Sequence, residues 1–204
     1  MRKEKELFEF TACKHTDCRL AAVTGSPYCF HHQKNPAKTV SAIVNELQAK
    51  EKIKNLSASY VEFSNLDLKG KILQVSNFSH AIFKNVDFSE SHFRIVFFDF
   101  CLFLNCYFKK MDMKYSVFAG ASLTDCDFSS SDILHCNFNG ITAKSCSFSE
   151  SDLYFSTFAY SEISDSDFVD CNLKKVRFNN TRRSSVNFKF SNYEEAYFGE
   201  GVVS

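Results

Sequence analysis

The chain has 204 residues, with 24 basic and 24 acidic side chains and no formal net charge. Its 24 Phe, against no Trp, 2 Pro and 6 Gly, supply enough apolar surface for a buried core despite a mean hydropathy of −0.21. This balance excludes a bulk polyanion-binding field, a disordered chain and a spanning helix, since no apolar run approaches the roughly 18 residues that spanning takes.

The start, Met1-Arg-Lys-Glu-Lys-Glu-Leu7, is charged and lacks the apolar stretch of a secretory signal. Nine Cys is an odd number, and a reducing cytoplasm suits it better than a disulfide scaffold. No membrane association is expected.

Three of these Cys come early. Cys13-Lys-His-Thr-Asp-Cys18 and Tyr28-Cys29-Phe-His-His32 form a C-x4-C-x10-C-x2-H pattern, with Gly25-Ser-Pro as a turn between two knuckles. Three thiols and one imidazole suit tetrahedral zinc, so Cys13, Cys18, Cys29 and His32 are the expected ligands of one structural ion per chain. His31 and His15 are substitutes for the fourth place, and loose core thiols are the alternative to a metal. Four protein ligands would leave no position for a catalytic water. Residues 1–37 resemble short zinc-knuckle modules that end in Tyr-Cys-x-x-His, some of them attached to nucleic-acid-processing proteins. A nucleic-acid contact through Lys14, Arg19 and Lys34 is therefore a reading to weigh, residues 1–60 carrying ten bases and six acids.

Residues 38–60 read as a helix and linker. Val40, Ile43, Val44, Leu47, Ile53 and Leu56 recur at three- and four-residue steps, which predicts one helix from Lys38 to about Leu56, capped by Thr39 or Ser41 after Pro36. Its expected role is a lid over the unpaired edge that follows, with partner binding as the alternative.

From Val61 to Glu200 the chain divides into 28 blocks of five with no insertion or deletion. The central residue of each block is an anchor: 17 of the 28 are Phe, and only Arg183 is charged. Two residues earlier stands a small or apolar residue, and Asp or Asn often comes between, as in Asp67, Asn77, Asp87, Asp127 and Asn137. A period of five fits neither an amphipathic helix nor an alternating strand. It fits a coil with a short extended side and a corner every five residues, where anchor and small residue share the inward face. Cys101, Cys106, Cys126, Cys136, Cys146 and Cys171 all take the small position and read as buried hydrophobes.

The stretches Cys126-Asp-Phe-Ser-Ser, Cys136-Asn-Phe-Asn-Gly and Ser166-Asp-Phe-Val-Asp resemble the pentapeptide-repeat family. That resemblance implies an all-β fold, a right-handed four-sided parallel β-helix with four blocks per turn. Twenty-residue spacing agrees: the column Phe78, Phe98, Phe118, Phe138, Phe158, Phe178, Phe198 is entirely Phe. Seven coils at about 4.8 Å each make a rod of about 34 Å over residues 61–200, followed by a tail at 201–204.

One stretch breaks the polar exterior. Ile95, Phe97, Phe100, Leu102, Leu104 and Tyr107 take outward positions and form a candidate interaction patch, with Val75, Ile82, Tyr115 and Val117 in the same columns. Residues 1–56 folding back over coils one to three is the favoured cover, an external protein partner the alternative. Charge is also uneven: Asp112 to Asp170 carries ten acids and two bases, a balance of −8, while Cys171 to Ser191 carries six bases and no acid. Arg183 at an anchor position predicts loosening or outward tilt of the last coil. Tyr193, Tyr197 and Phe198 mark an open end, and the family resemblance implies homodimerisation there.

No nucleophile–base pair, paired catalytic carboxylates or Gly-rich phosphate loop emerges, so no enzyme is expected. The reading is a noncatalytic protein-interaction scaffold with a structural zinc module. The resemblance also implies a rival, a DNA mimic that binds type II topoisomerase and protects it from quinolones, which zero net charge and a basic last coil weaken.

Overall fold

A computed structural model describes residues 10–199, so the charged start and the tail at 201–204, with Glu200, lie outside the described residues. Extended backbone alternates its side chains, which sends each anchor and its small partner inward. A corner must follow within two residues. Every fifth residue from Asn55 to Phe190 has a positive φ, and only Gly70, Gly120 and Gly140 among them are glycine.

Left-handed backbone costs an L-residue about 1–2 kcal/mol. Val75 and Ile95, at φ 51° and 58°, are β-branched and the least suited to it. Hydrogen bonds offset the cost. Corner N–H groups donate to the next coil, as in Glu90 to Lys109 O at 2.8 Å and Phe100 to Ala119 O at 2.9 Å. The Asp or Asn before the anchor caps the same turn: the Oδ1 atoms of Asn77, Asp87, Asp127 and Asn137 each accept from the N–H two residues on at 2.9 Å. This local bond explains the Asp/Asn preference seen in the repeat.

Four corners return the chain upon itself after twenty residues. One face is a five-stranded parallel sheet running from Lys52–Lys54 through Ile72–Asn77, His92–Phe97 and Asp112–Lys114 to Asp132–Leu134. The opposite face is a seven-stranded parallel sheet from Glu62–Asp67 to Arg182–Asn187. Phe63 stands opposite Phe83, Phe83 opposite Phe103 and Phe103 opposite Leu123. On the two remaining sides single bridges such as Asp127 to Ser147 and Asn137 to Thr157 keep the same step. The molecule is an all-parallel, four-sided β-solenoid of about seven turns with one helix near its N-terminus.

The interior is a lattice of rings. Within a column the rings stack, Phe108 on Phe128 at 4.4 Å and Phe118 on Phe138 at 4.8 Å. Across the bore they meet edge to face, Phe128 against Phe138 at 6.0 Å and 88°. Both geometries suit the ring quadrupole. The small inward residues hold the coils together: Ser131, Ser151, Ser156, Ser161 and Thr181 donate their hydroxyls to the carbonyl 23 residues earlier at 2.7–3.0 Å. Rod cysteines take the same place, with Cys101 Sγ 3.0 Å from Phe78 O and Cys171 Sγ 3.0 Å from Phe148 O. All six are buried and free. Burial pushes the Cys136 thiol up to about 12 and Cys171 up to about 11, so both stay neutral at pH 7.

At the N-terminal end the helix is shorter than its periodicity predicts. It spans Pro36–Ala49, capped by Asn35, whose Oδ1 accepts from Lys38 N at 3.0 Å, and not by Thr39 or Ser41. Ile53 and Leu56 belong instead to the rod: Lys52–Lys54 pairs with Ile72–Gln74, and Ile53 and Ala58 are the buried anchors of the two blocks that precede Val61. Pairing to a waiting strand edge outweighs helical spacing there. Lys71 Nζ fastens the helix end to the rod, donating to Gln48 O at 2.8 Å and Lys50 O at 2.9 Å, where a cation suits the helix dipole. Ile43 and Leu47 bury against the core formed by Val23, Ile53 and Leu56. The lid thus covers the rod's end. At the other end Arg183 does not loosen its coil: it pairs in register with Ile163, and its guanidinium lies 4.6 Å over the Phe198 ring.

The corner geometry has a measurable consequence. Lys110 is exposed at φ 53°, so Lys110→Gly is expected to raise unfolding stability by about 1 kcal/mol. Lys144 is exposed inside a strand, and Lys144→Gly should lower it by about 0.5–1 kcal/mol. Denaturant unfolding that moved both variants in one direction would contradict the corner account.

Candidate functional site

The N-terminal module is built from short turns that converge four side chains. A bridge between Ala12 and Ala21 closes the first knuckle, with Cys13 N donating to Leu20 O at 2.9 Å. Asp17, at φ 62°, supplies the reversal that brings Cys18 back toward Cys13. The second knuckle turns at Gly25, φ 78°, and ends in a single 3-10 turn at Phe30–His32, where His32 N donates to Cys29 O at 3.1 Å.

The donor atoms of Cys13, Cys18, Cys29 and His32 all lie within 4.8 Å of one another. His32 Nδ1 is 3.4 Å from the sulfurs of both Cys13 and Cys29, and the Cys18 and Cys29 sulfurs are 3.8 Å apart. A tetrahedral ion with metal–sulfur near 2.3 Å and metal–nitrogen near 2.0 Å sets separations of about 3.5 Å and 3.8 Å for such pairs. The four groups could therefore hold a metal ion. Burial opposes ionisation of Cys13, but hydrogen bonds from the backbone of Cys29 and His15 and from the His32 and Cys29 side chains outweigh it and bring its pKa down to about 6. Burial, with Cys18 and Cys13 beside it, pushes Cys29 up.

The two substitute histidines stand outside the donor set. His15 stacks on the His32 ring at 3.8 Å and donates its backbone N–H to Cys13 Sγ at 3.5 Å, an outer contact that orients a ligand. His31 faces the rod, packing on Tyr60 at 4.5 Å. A residue that motif reasoning passes over organises the module: Gln33 Nε2 donates to Ser26 Oγ, Tyr28 O and Cys29 O at 2.9, 2.7 and 3.1 Å. Its Oε1 accepts from Thr39 Oγ1 at 3.0 Å, tying the knuckle to the helix. Thr24 N donates to Ser57 O at 2.8 Å and fixes the module to the first coil.

The expected apolar patch has a different shape from the one its sequence suggests. Val75 is buried at its corner, while Ile95, Phe97, Leu102 and Leu104 are half-buried. Phe100 is 61 % exposed and Tyr107 39 %. Phe97, Phe100, Leu102 and Tyr107 stand on successive sides and corners, so the feature is a belt around one coil. The favoured cover by residues 1–56 fails for the described part, because the apolar side of the helix is spent on the rod's end. An aromatic ladder runs from the module to the belt: His31 to Tyr60, Tyr60 to His80 at 4.6 Å, and His80 to Phe100 at 5.1 Å.

A family model described as pentapeptide repeats matches residues 59–94, 101–140 and 136–174, in eight copies. Among solved structures, a trypsin-treated variant of QnrB1, a plasmid-mediated fluoroquinolone resistance protein, is 20% identical over 70% of this chain and 83% of its own, with a TM-score of 0.40. HetL, a pentapeptide repeat protein involved in heterocyst differentiation regulation from the cyanobacterium Nostoc, is 10% identical over 80% of this chain and 98% of its own, with a TM-score of 0.22. A pentapeptide repeat protein of the Arabidopsis thaliana thylakoid lumen is 16% identical over 62% and 68%, with a TM-score of 0.19. No curated protein sequence matches the chain.

The lowered pKa of Cys13 is testable in metal-free protein. Alkylation at Cys13, followed by peptide mass spectrometry, should rise through about pH 6, while Cys101 and Cys136 stay unmodified until the rod unfolds. Equal rates at all nine thiols would contradict it.

Proposed function

The chain belongs to the pentapeptide-repeat family, and from that premise we propose that it is a noncatalytic protein-interaction scaffold in a reducing cytoplasm. The observation that carries this reading is the belt at Phe100 and Tyr107, exposed on an uninterrupted rod whose own lid is engaged elsewhere. Exposed rings on a rigid frame give a partner apolar area at low entropic cost. The N-terminal module holds one structural zinc through Cys13, Cys18, Cys29 and His32, and the ion fixes His31 against Tyr60, the first rung of the ladder that leads to the belt. The donor separations support zinc, and four protein ligands support a structural role.

Two readings compete. Two columns, Asp125 with Asp165 and Asp127 with Asp167, line a shallow depression with Asn105, and they favour imitation of a nucleic-acid backbone and with it the binding of a type II topoisomerase. Tyr193 and Tyr197, exposed at the C-terminal end, favour homodimerisation there.

Metal content by mass spectrometry is expected to give one zinc per chain, lost in Cys29→Ser. Protein purified without chelator and free of zinc would refute the metal assignment. The variant Phe100→Lys, outside the acidic depression, should keep the circular dichroism of the rod and lose the partner that the parent protein retains on affinity capture. Partner retention by Phe100→Lys, or inhibition of topoisomerase supercoiling by the parent protein, would move the function from the belt to the acidic face.

A further inference from the structure

An open groove of about 530 Å³ at the C-terminal end of the rod is lined by Phe155, Lys175, Arg177, Asn179, Tyr197 and Gly199. That volume is in the range of small-ligand sites. No acidic side chain lines it among the described residues. On the same basic coils Lys174 pairs with Glu195 at 3.3 Å and Arg182 with Glu162 at 2.6 Å, while Lys189 lies over the Phe190 ring at 4.7 Å.

Three lining side chains carry N–H donors without an acceptor. The Lys175 ammonium is held over the Phe155 ring at 4.9 Å and near Tyr154 at 5.7 Å, with no carboxylate partner among the described ion pairs. Ring contact leaves its hydrogens free to bind an anion and restrains a side chain that would otherwise lose much entropy on binding. Arg177 is exposed and forms no ion pair among the described residues. Asn179 is the third. Two coils earlier, Asn139 Oδ1 locks onto Thr157 Oγ1 at 2.6 Å and Ala159 N at 3.0 Å. Tyr197 and Gly199 take those two places beside Asn179, the lock is not made, and Asn179 Oδ1 is sealed from solvent without a partner. The Nδ2 edge of the same amide is then the one free to meet a ligand.

The fourth component is apolar: Tyr197 is 61 % exposed beside these donors. Lysine and arginine together match the oxygens of a phosphate, arginine through its planar fork. A tyrosine ring offers a face on which a heterocycle stacks. We infer that this groove is a binding site for a phosphate carrying an attached planar ring, the chemistry of a nucleoside monophosphate, with the phosphate on Lys175 and Arg177 and the ring against Tyr197. The site is independent of the belt and of the metal centre.

Calorimetric titration of the full chain with adenosine monophosphate, adenosine and inorganic phosphate tests the inference. The monophosphate should bind more tightly than either part, and less tightly as salt is raised. Arg177→Glu should weaken it at least tenfold, the loss of one charge-assisted contact. Tyr197→Ser should weaken the monophosphate and leave inorganic phosphate unchanged. Circular dichroism identical to the parent's is expected for both, since both side chains are exposed. Monophosphate binding no tighter than inorganic phosphate, or unaffected by Arg177→Glu, would overturn the assignment.

Discussion

Everything in this molecule rests on a displacement of twenty residues. Four sides of five residues close one coil, and each side then finds its partner one coil away, by full strands on two faces and by single bridges on the others. That register stacks like on like. It puts Phe over Phe, hydroxyl under carbonyl, and Asn65, Asn85 and Asn105 in a hydrogen-bonded column on the outside. A single inserted residue would move every later side chain of its coil to the wrong face. The cost is a left-handed corner every fifth residue, and it is borne because the ring lattice and the inter-coil bonds over-determine each corner.

Most of the rod was legible because its signals are local and repeated. Phe at the anchor, a small residue two before it and Asp or Asn between them each report one physical requirement: a filled bore, close approach of the next coil, and a capped turn. The corner itself left no such mark, since Lys110, Glu90 and even Ile95 adopt a geometry that glycine would take more readily. The N-terminal boundary is hidden in the sequence for a related reason. Ile53 and Leu56 continue the three- and four-residue spacing of Ile43 and Leu47, and only the presence of the Ile72 strand edge decides that Ile53 becomes sheet and Leu56 joins the rod's core. Arg183 keeps its place in the last coil because Phe198 gives its guanidinium a ring to lie on, a partner 15 residues away that its own repeat does not announce.

The functional features divide similarly. The spacing of Cys13, Cys18, Cys29 and His32 points to the same four groups whose donor atoms the fold gathers within 4.8 Å of one another. Gln33 did not stand out, because a glutamine bonding three backbone or hydroxyl acceptors has no sequence pattern of its own. The apolar belt was visible as composition but not as shape: which of its residues are half-buried depends on corners that rotate Phe100 and Tyr107 to different sides. The groove at Tyr197 was foreshadowed only by a run of bases, since its walls come from three coils.

The cap at the first coil also bears on how the chain is made. The module and helix precede the rod in sequence, and each coil hydrogen-bonds to the coil twenty residues before it as well as to the one after it. A polypeptide leaving the ribosome therefore finds, for every newly emerged coil, a finished template already folded upstream. Long-range search is replaced by short loop closures, whose entropy cost grows only slowly with length. The rod can be assembled in the direction of translation, with the N-terminal knuckle as the seed from which all later register is copied.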